Sequence, residues 1–169
     1  MQHILVTGGA GFIGTHTVDH LVAKGYQVRI LDALQQRVHP HGWPAYIPAV
    51  VEKIQGDVRK REDWLKALDG IDGVIHLAAY QDYLPDFSTY FHVNSVGTAL
   101  LYEVIVEKRL KINRVVVASS QAVAGEGLHE CEEHGRHEPD LRWVQKLESG
   151  DWDHRCAVCS RVLTPLETP

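Results

Sequence analysis

The stretch Thr7-Gly8-Gly9-Ala10-Gly11-Phe12-Ile13-Gly14 restricts this chain more than any other. Ile4-Leu5-Val6 leads into it and an amphipathic segment follows as far as Lys24. A strand, a glycine turn and a helix start are thereby packed into about twenty residues. Gly8, Gly11 and Gly14 recur at intervals of three. Without Cβ atoms, the first two let the turn tighten and a diphosphate approach the backbone, and the third lets the helix sit close to the strand. The free N–H groups and positive dipole end of the helix then face the anion.

An acid stands where such a turn requires one. Asp32 closes a second hydrophobic run, Val28-Arg29-Ile30-Leu31, eighteen positions after Gly14. At the end of the second strand of a βαβ unit, an acid accepts hydrogen bonds from the adenosine ribose and repels a 2′-phosphate. That favours NAD over NADP. The alternative for Asp32 is a solvated loop acid. Arg29 and Arg37 are the basic residues close enough in sequence to soften the preference.

Strands are expected over 3–7, 27–32, 50–55, 73–79 and 111–118, with helices over 12–24, 60–69 and 87–109. Gly25 and Gly70 supply helix stops. Residues 33–49, with Pro40, Pro44 and Pro48, have no periodicity and read as an irregular excursion. Asp57, after the third strand, either accepts from the adenine amine or caps the helix that follows. In that helix Trp64, Leu65 and Leu68 share a face. His76 reads as a packed, supporting histidine rather than a base. The small residues Ala78 and Ala79 after the fourth strand leave room for a cofactor against the backbone. Val93, Val96, Leu100, Leu101, Val104 and Ile105 give the longest helix a broad apolar surface, part for the sheet and part for another subunit. Asn94 within it is either a locally bonded surface amide or a residue that orients the backbone beneath the cofactor. Five strands with helices between them form the α/β, doubly wound, parallel pattern, whose ligands lie outside the C-terminal strand ends.

Composition narrows the class. With 169 residues, 44% apolar and 23% charged, the chain has enough material for one domain with a proper core. A net charge of −5 and no basic stripe argue against nucleic acid as a partner. No apolar run approaches 18 residues, and the chain begins directly with a strand; a cytoplasmic protein with no membrane span is expected.

In order and interval, the segments TGGAGFIG at 7–14, Asp32, Gly56-Asp57-Val58, His76-Leu77-Ala78-Ala79, His92-Val93-Asn94-Ser95-Val96-Gly97-Thr98 and Ser119-Ser120 resemble the extended short-chain dehydrogenases/reductases, the nucleotide-sugar epimerases and dehydratases. The resemblance spans residues 3–125 and implies an NAD-binding Rossmann domain over 1–125. By position it implies that Gly8, Gly11 and Gly14, with Phe12 and Ile13 between them, bind the diphosphate. Asp32 would hold the ribose, Asp57 with Val58 the adenine, and Ala78 would border the nicotinamide ribose, with Asn94 beneath. Ser120 would be the catalytic hydroxyl that meets the substrate. The implied substrate is a dTDP- or UDP-sugar, and the implied assembly a homodimer through the helix around 87–109.

Two departures stand out. Ala124-Gly125 replaces the usual Tyr-Gly, and no tyrosine has a lysine four positions on, so the family's Tyr-x-x-x-Lys pair is absent from these residues. That tyrosine moves the proton that accompanies hydride transfer. The expectation is therefore the N-terminal portion of a 4-epimerase, inactive alone. The alternatives are a sugar reductase or dehydratase, or a non-catalytic module that binds NAD and zinc. Gln121 and Ala122 stand where dehydratases and decarboxylases tend to carry an acid.

Residues 126–169 leave the family's course. Cys131-x-x-His134 is followed by Cys156-x-x-Cys159, two knuckles with the donor types and spacing of a tetrahedral zinc site. All three cysteines fall here, and an odd number suggests metal rather than a disulfide framework. Three free thiols are the alternative, and His129, His137 and His154 compete as fourth ligand. The expected element is a small zinc-ribbon-like insert, with a structural role because four ligands leave no open position. A similar insert occurs in a bacterial subgroup resembling dTDP-L-rhamnose 4-epimerases.

Overall fold

The apolar runs place the first elements in chain order: strand β1 (His3–Thr7), helix α1 (Phe12–Ala23) and strand β2 (Gln27–Asp32). A computed structural model describes residues 2–167, apart from the side chains of Gln121 and Ala124. β3 (Glu52–Gln55), α2 (Arg61–Ala67), β4 (Gly73–His76), α3 (Phe87–Tyr90), α4 (Gly97–Glu107) and β5 (Arg114–Val117) follow. The five strands form one parallel sheet in the order β3-β2-β1-β4-β5. The chain steps outward from β1 through β2 to β3, then returns to β4 on the other side of β1. The ends of β1 and β4 are thus the point where the topology reverses, and a crevice opens there.

A parallel sheet must be covered on both faces. Successive residues of β1 serve the two faces in turn. Leu5 packs with Leu31, Val74, Trp64, Leu101 and Val104 on one face. Val6 packs with Val18, Val28 and Ile30 on the other. Trp64 is fully buried, and its indole N–H donates to the Val58 carbonyl at 2.7 Å.

Several boundaries move inward from those expected. β4 stops at His76: the Leu77 N–H is shared between the Thr7 carbonyl and the Thr7 hydroxyl, both at 3.2 Å, and the Ala78 N–H turns onto that hydroxyl at 3.1 Å. Leu65 does not join Trp64 and Leu68 in the core; it is exposed, because it lies one position round the helix from Trp64. The helical stretch from 87 to 107 is not one α-helix. Phe91–Val96 winds as a π-helix between α3 and α4. Of its expected apolar surface, Val93, Leu101 and Val104 are buried, and Leu100 and Ile105 pack against the same core. Only Val96 of that set is exposed; Phe87, Phe91, Tyr102 and Val106 of the same helical stretch, which the sequence pattern did not single out, are exposed too.

The chain divides into two compact units, 1–118 and 119–169. The second begins with a 3-10 turn (Gln121–Ala124). It then builds β6 (His129–Cys131), β7 (Gly135–His137), α5 (Val144–Glu148) and β8 (Thr164–Pro165). β6 pairs antiparallel with both β7 and β8. Its buried apolar group is Cys131, Cys156 and Leu163, with Cys159 against them. Among the described residues no helix is long and apolar enough to cross a membrane.

Candidate cofactor cleft and Cys/His cluster

A cleft of about 330 Å³ opens at the reversal of the sheet. Gly8 and Gly11 of the turn, Asp32 after β2, Asp57 and Val58 after β3, and Ala78 after β4 all line it. Gly8 has φ +67°, and a Cβ there would lie 2.9 Å from the Ala78 backbone. Only glycine accommodates both demands. A Cβ on Gly14 would come within 2.1 Å of the Gly8 carbonyl oxygen, so this glycine permits the close seating of α1 on the turn. Gly14, Phe12, Ile13 and Asn94 do not line the cleft. The Phe12 and Ile13 side chains are exposed, and what they can offer an anion is the first-turn N–H groups of α1.

Asp32 is fixed on both oxygens. One accepts the Ala10 N–H at 3.0 Å, the other the Leu34 N–H at 2.9 Å. The acid thereby ties the glycine turn to the loop after β2, and each oxygen retains acceptor capacity for a hydroxyl. Arg29 and Arg37 are engaged elsewhere. Arg29 bonds Glu52 and the carbonyls of Ala67 and Asp69, while Arg37 pairs with Asp82.

Asp57 does not cap α2. Lys60 occupies that position without a side-chain bond. Asp57 instead turns onto Arg59, accepting its backbone N–H at 2.9 Å and its guanidinium at 2.5–3.0 Å. Burial alone would raise the Asp57 carboxyl; the bonds and charge of Arg59 outweigh it and hold the group below the usual carboxylate range. Arg59 itself lines the cleft, as do Gln35, Val38 and His39. Sequence reasoning missed all four. The Asp57-x-Arg59 spacing was a usable signal, whereas the irregular loop offered none.

Beneath β1 and β4, the buried His76 links the buried Thr7 hydroxyl to the half-buried Thr98 hydroxyl. Thr98 Oγ1 donates to the Asn94 carbonyl at 2.8 Å, so it accepts from His76 Nε2–H at 3.0 Å. His76 Nδ1 then accepts from the Thr7 hydroxyl at 2.7 Å. The network fixes a neutral Nε2–H tautomer, and burial pushes the imidazole down to about 4. Asn94, within the π-helix, clamps Tyr80 from both sides. Its Oδ1 accepts the Tyr80 N–H at 2.7 Å and its Nδ2 donates to the Tyr80 carbonyl at 3.0 Å. It therefore sets the course of the loop after β4 rather than facing the cleft.

In the second unit, Ser120 caps the 3-10 turn, its Oγ accepting the Ala122 N–H at 3.1 Å. Cys131, His134, Cys156 and Cys159 come together, with all four donor atoms within 4.8 Å of one another. Cys131 Sγ lies 3.6 Å from Cys159 Sγ and 3.5 Å from His134 Nδ1, and Cys156 Sγ lies 3.5 Å from the same nitrogen. A tetrahedron with zinc–sulfur bonds of about 2.3 Å has S···S edges of about 3.8 Å and S···N edges of about 3.6 Å. The donor set fits. Backbone N–H groups of Cys159 and Val158 pull the Cys156 thiol down to about 6. Of the competing histidines, His137 Nε2 stands 3.7 Å from Cys156 Sγ, whereas His154 is held by Glu126 at 3.1 Å and His129 faces the Gly127 carbonyl.

Known proteins bear on this arrangement. The chain is 32% identical over 158 residues to dTDP-L-rhamnose 4-epimerase of Burkholderia thailandensis, covering 90% of this chain and 44% of that protein. It is 38% identical over 136 residues to the bifunctional UDP-glucose 4-epimerase and UDP-xylose 4-epimerase 3 of Arabidopsis thaliana, covering 74% of this chain and 38% of the relative. The crystal structure of Thermus thermophilus UDP-glucose 4-epimerase in complex with NAD superimposes with a TM-score of 0.60 at 30% identity, over 81% of this chain and 42% of that one. The chain thus spans less than half the length of these relatives. The model of the NAD dependent epimerase/dehydratase family matches residues 4–142. With its glycine turn, doubly wound sheet and cleft at the strand ends, the chain belongs to the NAD dependent epimerase/dehydratase family.

Proposed function

We propose that this chain is the NAD-binding portion of a cytoplasmic nucleotide-sugar 4-epimerase acting on a dTDP- or UDP-sugar. The observation that carries the reading is the cleft itself, where Gly8, Gly11, Asp32, Asp57, Val58 and Ala78 meet from four separate segments. In this reading the glycine turn and the N–H groups of Phe12 and Ile13 hold the diphosphate, with Gly14 keeping the helix close. Asp32 binds the ribose hydroxyls, Asp57 and Val58 border the adenine, and Ala78 borders the nicotinamide ribose. Asn94 acts through Tyr80 as a positioning residue. When bound, NAD supplies a reversible hydride acceptor for C4 of the sugar, so that passage through a 4-keto sugar inverts that centre. Ser120 orients the C4 hydroxyl.

The proton that accompanies the hydride needs a base such as the family's tyrosine. The coding sequence after codon 169 tests this directly. A continuing frame with Tyr-x-x-x-Lys within roughly thirty residues supports the epimerase. An immediate stop overturns it and leaves a module that binds NAD and metal.

We also propose that Cys131, His134, Cys156 and Cys159 hold one structural zinc ion. The support is the match of their spacings to a tetrahedral site, in a unit with little other core. One equivalent of zinc per chain, lost in Cys156→Ser, is the expected result; metal-free protein with an unchanged fold would refute it. The homodimer is proposed through the helical stretch around 87–109, whose exposed apolar side chains include Phe87, Phe91, Tyr102 and Val106. Sedimentation of a monomer at high concentration would count against that surface.

A further inference from the structure

The Arg37–Asp82 ion pair joins the loop after β2 to the loop after β4. These strands are not neighbours, because β1 lies between them. Strands about 4.8 Å apart put the two loops about 10 Å from each other. A link between them must cross the C-terminal end of β1, where Gly8 and Gly11 floor the cleft. Both loops are cleft walls: Ala33, Gln35, Val38 and His39 on one side, Leu77, Ala78 and Ala79 on the other. We propose that this ion pair is a strap across the mouth of the cleft that slows release of the bound dinucleotide. The proposal rests on the NAD reading above.

The two ends are built differently. Asp82 is a fixed post. Its N–H donates to the Tyr90 hydroxyl at 2.9 Å, its Oδ1 accepts the Tyr83 N–H at 2.7 Å, and Oδ2 is left for Arg37. Two residues earlier, Tyr80 is clamped by Asn94 and donates its hydroxyl to Asp86 at 2.6 Å. Arg37 is the movable end. It sits in a tight turn in which the Gln35 carbonyl accepts the N–H groups of Val38 and His39, and its side chain is 67% exposed. An exposed pair contributes little to folding. A link that opens readily and spans a binding site has its effect on passage through the mouth.

The test follows release of NADH from the full chain by its fluorescence, with excess NAD as chase, in wild type, Arg37→Gln, Asp82→Asn and the double variant. Each single change should speed release about threefold, and the double variant should be no faster than either. Raised salt should bring wild type toward the variants, with melting temperatures unchanged. Faster release in Arg37→Gln alone would mean that Arg37 touches the dinucleotide itself and would overturn the strap. Equal release from all four proteins would overturn it too, while leaving NAD binding intact. Wild type that binds no NADH would refute the cofactor reading, and the strap with it.

Discussion

The two units of this chain differ in what they bury. In residues 1–118, aliphatic strands present alternate side chains to two apolar clusters, and Trp64, Leu5, Ile30, Leu31 and Leu101 are fully buried. In residues 119–169 the described core is Cys131, Cys156 and Leu163, between strands of two or three residues. A sheet that buries both faces is held by the hydrophobic effect. A polar segment with so small a core needs another source of folding energy, and a metal held by thiolate and imidazole ligands, as proposed for Cys131, His134, Cys156 and Cys159, would provide one. The lesson is that sequence periodicity announces the first kind of unit, and donor spacing the second.

The largest expected effect separates the two outright. With zinc held as proposed, chelation should remove a contribution of about 10–16 kcal/mol, and Cys156→Ser a large part of it. Amide correlation spectra should show collapse of signals from β6 to β8 while those of β1 to β5 stay in place. Unchanged spectra would mean that the second unit folds by packing alone. The converse break is Trp64→Ala, which opens a core cavity and orphans the Val58 carbonyl. A loss of about 3–5 kcal/mol is expected in the first unit, read by urea denaturation, with metal content of the second unchanged.

Acid should act on the first unit through His76. Above about pH 6.5 the imidazole is neutral whether folded or unfolded. Between there and about 4 the unfolded chain takes up a proton that the buried His76 refuses, so stability falls as pH falls. The loss approaches roughly 3 kcal/mol, and urea midpoints at pH 7, 5.5 and 4 should show it. His76→Gln should flatten that slope. An equal slope in the variant would assign the acid sensitivity to other groups.

What the residues disclosed in advance follows the same division. The glycine turn, Asp32 and the five strands were legible because each rests on local backbone geometry or on alternation along a strand. Asp57 lines the cleft and does not cap α2, an outcome hidden in the sequence because its bond to Arg59 depends on how the chain turns after β3. Gln35, Val38 and His39 lie in an irregular loop with no periodicity, so their position on the cleft wall had no signal. The exposure of Phe87, Phe91, Tyr102 and Val106 was hidden by the π-helix, which breaks the 3.6-residue repeat between Phe91 and Val96. The four candidate donors Cys131, His134, Cys156 and Cys159 were chosen from spacing, and their convergence within 4.8 Å was not readable from spacing alone.

Whether the cleft binds NAD through Asp32 is settled by calorimetric titration of NAD and of NADP into the wild-type chain and Asp32→Ala. Saturable NAD binding at one site is expected, with weaker binding of NADP and roughly tenfold loss in Asp32→Ala as a charge-assisted bond to the ribose disappears. Superimposable NAD curves for wild type and variant, or no binding by either, would contradict it.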